Sequence, residues 1–202
     1  WDATETYNWA SKRYRALLEG EESDDQERIR VELAWSLVNR AELEILRGTP
    51  PAALPLLDEA DRLIDPATAR QSTDLGRMFQ AASARLSRAA VLEATGRKGE
   101  ALALADESAE LLAVPAQRTR VGRILLILAE SQRATLRGHS DPDEARSIAR
   151  RNIEDAIRLR EKSPTDSNFR HLHAIALKAQ GRLLLDLGDR PGAIASFSEA
   201  RD

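Results

Sequence analysis

The sequence predicts an all-α fold made of antiparallel helix pairs, and three observations support this prediction. Alanine, leucine and arginine are prominent among the 202 residues and only 4% of residues are aromatic, a composition typical of helical packing. Apolar residues recur with a period of about 3.6 in the stretches between prolines and glycines. The connections between these stretches are short, and short loops make consecutive helices antiparallel neighbours.

The periodic stretches define about nine predicted helices, with no strand pattern between them. In the last long stretch, one face collects Phe169, Leu172, Ala176, Ala179, Leu183 and Leu187. The predicted helices span residues 3–19, 24–47, 52–64, 68–95, 98–112, 116–137, 142–162, 165–187 and 190–201.

Prolines mark where several of these helices begin, because the first helical position needs no N–H donor. The stretches "DPAT" at 65–68, "DPDE" at 141–144 and "SPTD" at 163–166 each offer a capping side chain before the proline. They predict N-caps at Asp141 and Ser163 and another helix start at 65–68. Because Pro55 must fall within a first turn, the helix after Gly48 is expected to begin near Ala52.

Glycines mark the helix ends, and the phrase around them is repeated four times. Gly48, Gly96, Gly138 and Gly188 each follow an apolar-periodic stretch, which predicts left-handed C-caps. Small residues recur at fixed offsets from these glycines, where they allow two helix backbones to approach closely. Seven residues before the glycines stand Ala41, Ala89, Ser131 and Gly181, and five or seven residues after them stand Ala53, Ala101, Ala145 and Ala193.

The repeats divide one predicted domain, 1–202, into a leading helix with an acidic loop (1–23) and four helix pairs: 24–66, 67–115, 116–163 and 164–202. The pattern resembles the tetratricopeptide repeat (TPR) family over about residues 26–202. The best-matching copy contributes Gly181, Leu184, Gly188, Ala193, Phe197 and Ala200. The resemblance implies a right-handed α-solenoid, although the usual repeat has about 34 residues and these glycines lie 48, 42 and 50 residues apart. The sequence of residues 159–200 is most similar to repeat modules attached to bacterial serine/threonine kinases and signalling regulators.

The resemblance also implies a function and a binding surface. In stacked helix pairs, the first helix of each pair lines a concave face that binds partners. The implied lining is Trp35, Asn39, Glu42, Leu86, Ala90, Leu128, Gln132, Lys178 and Arg182. The expected function is a protein–protein interaction scaffold or adaptor, and the lining would suit an amphipathic or acidic-ended peptide. One alternative is a sensing domain that binds a ligand or peptide and relays this to an attached effector domain. Another is that Trp35, Leu86 and Leu128 are simply core residues.

The two ends of the chain carry further expectations. Five of the eight aromatic residues lie in the first 35 positions. Tyr7, Ala10, Tyr14 and Leu17 are expected to pack the leading helix on the next as a cap, or on an upstream partner. At the other end Ile194, Phe197 and Ala200 form an apolar flank, expected to dock on a neighbouring domain or a second copy. The chain opens at Trp1 without an initiator Met, which indicates a processed product or an excerpt.

Composition and motifs argue against several classes of function. The net charge is −3 and the sequence pI is about 5.8, so a nucleic-acid partner is not expected. There is no cysteine, which excludes disulfides and thiolate sites and fits a cytoplasmic protein. No apolar run approaches the roughly 20 residues of a membrane helix.

No catalytic motif is present either, so the chain is not expected to be an enzyme or to bind a cofactor or metal. His171 and His173 are two residues apart, so on a helix they point to different faces. Capping explains Asp141 and Asp143 better than a metal site does. Solvation explains the acidic loop residues Glu21, Glu22, Asp24 and Asp25 better than ion binding or docking does.

Overall fold

The structure is a computed structural model that describes residues 3–20 and 25–201; Trp1, Glu21, Glu22, Asp24 and Asp202 are among the positions outside it. The described residues form helices and no strand, which confirms the all-α prediction. The part of the chain that the structure describes contains ten helices, one more than expected. They are α1 (Ala3–Leu18), α2 (Gln26–Leu46), α3 (Pro50–Leu63), α4 (Pro66–Gln71), α5 (Leu75–Ala94), α6 (Lys98–Arg118), α7 (Arg120–Arg137), α8 (Pro142–Lys162), α9 (Ser167–Asp186) and α10 (Arg190–Glu199).

The chain divides into two compact units, Trp1–Pro115 and Ala116–Asp202. The division falls inside α6, at the border expected between the second and third helix pairs. The solenoid arrangement of the pairs remains a prediction. No helix of the described residues has both the length and the apolarity to span a bilayer.

Three helix pairs are connected by the same glycine turn. Gly48, Gly96 and Gly188 have φ values of 79°, 81° and 82°, which confirms the left-handed caps predicted at these positions. In each turn the residue after the glycine donates its N–H to a carbonyl five residues earlier. These bonds run from Thr49 to Glu44, from Arg97 to Leu92 and from Asp189 to Leu184, at 2.9, 2.8 and 2.8 Å.

The turn at Gly138 is different, and the left-handed prediction there is wrong. Gly138 has φ −51°, in the right-handed region, and the N–H groups of Ser140 and Asp141 both donate to the Arg137 carbonyl. The two extra residues of this connection let the chain turn without a left-handed residue. A Cβ on Gly138 would stand 2.5 Å from Leu183 Cδ1, so this glycine permits close packing against α9.

The small residues at the fixed offsets are buried, as their predicted role requires. They let paired helices approach closely, which a larger side chain would prevent. The buried set is Ala41, Ala53, Ala89, Ala101, Ser131, Ala145, Gly181 and Ala193.

Some helix bounds differ from the prediction because polar side chains cap free backbone N–H groups. The stretch predicted as a single helix over 68–95 breaks between α4 and α5, where Asp74 accepts from the Gly76 N–H at 2.8 Å. Likewise α9 starts after Asp166, which accepts from the Asn168 N–H at 2.9 Å, and not after Ser163. In both places an aspartate carboxylate, Asp74 or Asp166, provides the N-cap.

Proline positions account for the other differences. Helix α3 begins at Pro50 rather than near Ala52, since Pro50 and Pro51 occupy its first positions and Pro55 lies inside it. Helix α6 continues through the buried Pro115 to Arg118, beyond its predicted end at 112. A proline removes one helical hydrogen bond and its ring crowds the carbonyl four residues earlier, yet α6 continues for three residues beyond Pro115.

Unit 1 centres on the pair α2–α3, with α5 packed against both. Leu33 and Leu37 of α2 and Leu57 of α3 are fully buried. Within the same unit, Ser108 of α6 donates to the Ala82 carbonyl of α5 at 3.2 Å.

Helix α1 packs on α2, as expected for the leading helix. Its buried residue is Ser11, whose hydroxyl donates to the Tyr7 carbonyl at 2.7 Å and lies 2.9 Å from the Ser36 hydroxyl. Leu17, expected on the packing face, is instead exposed. Two hydrogen bonds of 2.7 Å from Arg15 to Glu59 tie α1 to α3 as well, and they are the main reason why the pKa of Glu59 is lowered.

Unit 2 is built from α7, α8 and α9, each in contact with the other two, and α10 packed on α9. One end of its core contains Ile127, Ala156, Leu159, Phe169, Leu172 and Ala176. The other end contains Ala134, Ala145, Ile148, Ala149 and Leu183. The Asn152 side chain also joins α8 to α7, since Nδ2 donates to the Ile127 carbonyl at 3.0 Å and to the Ser131 hydroxyl at 2.7 Å.

Candidate functional site

Three of the implied binding residues lie on one face of α2 in unit 1. Trp35, Asn39 and Glu42 are spaced by four and three residues, which places them on one side of a helix. The opposite side of α2 carries the buried Leu33 and Leu37. The Trp35 ring is 43% exposed, so the alternative that Trp35 is an ordinary core residue is wrong.

Neighbouring side chains fix Trp35 in position. The Tyr7 ring of α1 meets it edge-on, with ring centroids 5.6 Å apart and an interplanar angle of 73°. Asn39 donates from Nδ2 to the Trp35 carbonyl at 2.7 Å, and its Oδ1 accepts from the Tyr7 hydroxyl at 3.4 Å. The Tyr7 ring of α1, whose hydroxyl donates to Asn39, therefore supports the exposed indole, and a partner would have less side-chain freedom to remove on binding.

Glu42 occupies an unusual electrostatic position on the same face. Its Oε1 accepts from the Ser87 hydroxyl of α5 at 3.3 Å. Desolvation by the surrounding protein raises the pKa of the Glu42 carboxyl, and the Ser87 hydrogen bond opposes that rise. The side chain nevertheless remains exposed. A carboxylate crowded by protein but open on one side can still receive a group from outside.

Sequence reasoning missed Leu46, which extends this face. Leu46 follows Glu42 by four residues and is 82% exposed, the highest value among the exposed large apolar residues of the described chain. The signal that could have found it is the spacing of four, three and four residues from Trp35 onward. We call Trp35, Asn39, Glu42 and Leu46 the α2 stripe.

The other implied residues of unit 1 lie on α5. Leu86 and Ala90 are half-buried, and α5 contacts α2. Ser87, between them in sequence, reaches Glu42. Leu86 is therefore neither fully in the core nor fully open, and its role in binding remains a prediction.

In unit 2, the implied residues lie on α7 and α9, which contact each other. Leu128 and Gln132 of α7 are half-buried, whereas Lys178 and Arg182 of α9 are exposed. The two cations are four residues apart, so they lie on the same face of α9. Their role in binding an acidic group remains a prediction.

A cavity of 510 Å³ in unit 1 bears on the alternative of a ligand sensor. It is lined by Leu54, Asp58, Arg88, Leu92, Arg97, Glu100, Ala103 and Leu104. Its charged groups are already in ion pairs, Arg88 with Asp58 at 2.8 Å and Arg97 with Glu100 at 2.6 Å. The lining thus offers a ligand apolar contact and no unpaired charge.

The two clustered histidines have different surroundings. His171 is exposed, whereas His173 is buried between helices. Nδ1 of His173 lies 3.1 Å from a guanidinium nitrogen of Arg160 on α8, while Nε2 has no partner among the described residues. Desolvation, followed by the Arg160 charge, lowers the pKa of His173, and Glu199 on α10 opposes this. Within the described ranges, no three side chains converge as a metal site.

Acidification is expected to destabilise the protein through His173. Because its folded pKa lies below the unfolded value of about 6.5, the unfolded chain binds the proton more readily. The free energy of unfolding is therefore highest above the unfolded pKa and falls as the pH drops through about 6.5 and below. Urea titrations at a series of pH values measure this slope. His173→Asn should flatten it, whereas His171→Asn, at an exposed position, serves as the control. An unchanged slope in His173→Asn would assign the effect to other groups.

The apolar flank expected at α10 is partly accounted for by packing within unit 2. Ile194 is 66% exposed and Phe197 is 38% exposed, while Ala200 is half-buried. The Phe197 ring also lies directly against Gly181 of α9. Docking of this flank on a second copy or another domain remains a prediction.

The comparisons with known proteins give no further identification. Neither the protein-family models, nor the curated proteins, nor the solved structures contain a match to this chain. The functional assignment therefore rests on the residues described above.

Proposed function

We propose that this chain is a TPR-like helical-repeat module that binds a protein or peptide and catalyses no reaction itself. Two features support a repeat: the shared turns at Gly48, Gly96 and Gly188, and the buried small residues at fixed distances from them. Repeats of this kind present extended surfaces for partners. In this proposal the chain is part of a larger bacterial signalling or regulatory protein.

The observation that carries the proposal is the exposed Trp35 side chain, which the Tyr7 ring meets edge-on while the Tyr7 hydroxyl donates to Asn39. Large aromatic residues are enriched among those that dominate binding energies, especially where they are rigid before binding. Because Trp35 is 43% exposed, a large part of its apolar surface is left uncovered by unit 1. Binding of a partner would explain why the indole is both supported by Tyr7 and exposed.

The matched pair Trp35→Ala and Trp9→Ala tests the proposal. Trp9 is also exposed and in unit 1, but it lies on α1, with Arg13 5.7 Å from its ring centroid. In affinity capture from a lysate, with mass spectrometry, Trp35→Ala should lose a partner that Trp9→Ala retains. The affinity for that partner, measured by calorimetry, should fall at least about tenfold, which is about 1.4 kcal/mol. Equal capture by both variants would refute the α2 stripe as the binding surface.

Unit 2 is tested with the charge reversal Lys178→Glu/Arg182→Glu. If the exposed pair on α9 also contacts a partner, this variant should lose a protein that the wild-type chain captures. A partner lost by both Trp35→Ala and the charge reversal uses both units. A partner unaffected by the charge reversal confines binding to unit 1.

A further inference from the structure

We propose that the α2 stripe receives an amphipathic segment whose Lys or Arg pairs with Glu42 and whose flanking apolar residues contact Trp35 and Leu46. This inference rests on the proposed function and names the chemistry of the partner. Of the two peptides expected from the sequence, amphipathic or acidic-ended, it keeps the amphipathic one and places a cation opposite Glu42.

The first step is the missing counterion of Glu42. In unit 1, the carboxylates that reach across to another helix are paired with arginines. These pairs include Arg15–Glu59, Arg77–Glu27, Arg85–Glu107, Arg70–Glu110, Arg88–Asp58 and Arg88–Asp61. Glu42 also reaches another helix, but its contact there is the Ser87 hydroxyl at 3.3 Å, and no basic side chain of the described residues pairs with it.

The second step is the state of that carboxylate. Part of its hydration has been replaced by protein, which is why the pKa of Glu42 is raised. A neutral hydroxyl stabilises a carboxylate less than a cation does. An incoming ammonium or guanidinium would supply the missing charge at a position already partly desolvated, where an ion pair is stronger than in open water.

The third step is the order of groups along the α2 stripe. With a rise of about 1.5 Å per residue, Trp35 lies about 10.5 Å from Glu42 along the helix axis, and Leu46 lies about 6 Å beyond it. Both apolar side chains are exposed, Leu46 almost fully. The stripe therefore reads apolar, anionic, apolar. Its complement is a segment that reads apolar, cationic, apolar.

The partner segment that would fit the α2 stripe has a defined residue spacing. A helical partner running antiparallel to α2 would place an apolar residue on Leu46, a cation four residues later on Glu42, and a second apolar residue seven residues after that on Trp35. An acidic segment would instead bring like charges together at Glu42, which disfavours binding.

Selection of random peptides displayed on phage, against the immobilised full chain, tests the inference. Wild-type protein should enrich peptides that carry Lys or Arg between apolar residues. Protein with Glu42→Lys should bind these peptides at least about tenfold more weakly and should enrich peptides with Glu or Asp at the same place. Glu44→Gln is the control, because Glu44 lies on the same helix but is engaged by Thr49 and Arg47.

The outcomes separate the inference from the proposed function. Peptides that require Trp35 but show no basic preference, or that bind equally to Glu42→Lys, would overturn the inference and leave the proposed function standing. If no enriched peptide requires Trp35, both fail. If the purified chain sediments as a dimer that Leu46→Glu dissociates, the occupant is a second copy and the inference is also overturned.

Discussion

Replacing Leu183 by alanine is expected to lower the free energy of unfolding of unit 2 by about 2–5 kcal/mol. Leu183 is fully buried and packs with Ala134, Ala145, Ile148 and Ala149. Truncation removes its transfer free energy and leaves a cavity among residues too small to fill it. Urea denaturation followed by circular dichroism measures the loss, and hydrogen exchange of peptides from α7 to α9 locates it.

Leu185→Ala is the matched control, since Leu185 lies two residues away on the same helix and is 51% exposed. Its effect should be under about 1 kcal/mol, because half of its surface already contacts water. Similar losses in the two variants would mean that the packing described for α9 is wrong.

The second large effect is expected from Gly181→Val on α9. A Cβ at this position would lie 2.6–2.8 Å from three carbons of the Phe197 ring, which is closer than non-bonded carbon atoms approach each other. The backbone of Gly181 is helical, so the cost comes from the collision with the Phe197 ring of α10 and not from backbone strain. A loss of about 1–3 kcal/mol is expected, measured as a shift in the urea midpoint.

Two further variants make this test specific. Adding Phe197→Ala to Gly181→Val removes the obstructing ring and should recover part of the loss, a non-additivity expected of residues in contact. Gly99→Ala is the control, because nothing lies within 4 Å of a Cβ there. It should stabilise α6 by up to about 1 kcal/mol. Full additivity of the two unit 2 substitutions would contradict the close contact.

The helix pairs could be predicted from the sequence because their connections depend on residue type. A left-handed residue favours glycine, and close backbones need small side chains, so Gly48, Gly96 and Gly188 were sufficient to place three turns. The same rule fails at Gly138 because a longer connection has other ways to turn.

Exact helix bounds were harder to predict, for a physical reason. Capping is a competition among neighbouring polar side chains for the same few N–H groups. At 163–166 both Ser163 and Asp166 are suitable, and only the folded backbone decides that Asp166 caps α9. In the same way, the short sequence between α4 and α5 offers both Ser72 and Asp74, which together end one helix and begin the next.

The candidate site was predictable in position but not in chemistry. Helical spacing puts Trp35, Asn39 and Glu42 on one face whatever the fold. The raised pKa of Glu42 and its contact with Ser87 depend on how α5 packs against α2. Ser87 lies 45 residues after Glu42, and a single sequence gives no sign that these two side chains meet.

The uneven distribution of aromatic residues gives the protein a built-in spectroscopic reporter. Every tryptophan lies within the first 35 residues, on the unit 1 side of the division. Indole fluorescence therefore follows the unfolding of unit 1 alone, whereas circular dichroism sums the signal of all helices. In one urea titration, coincident curves would show that the halves melt cooperatively, and displaced curves would give each half its own stability without any added label.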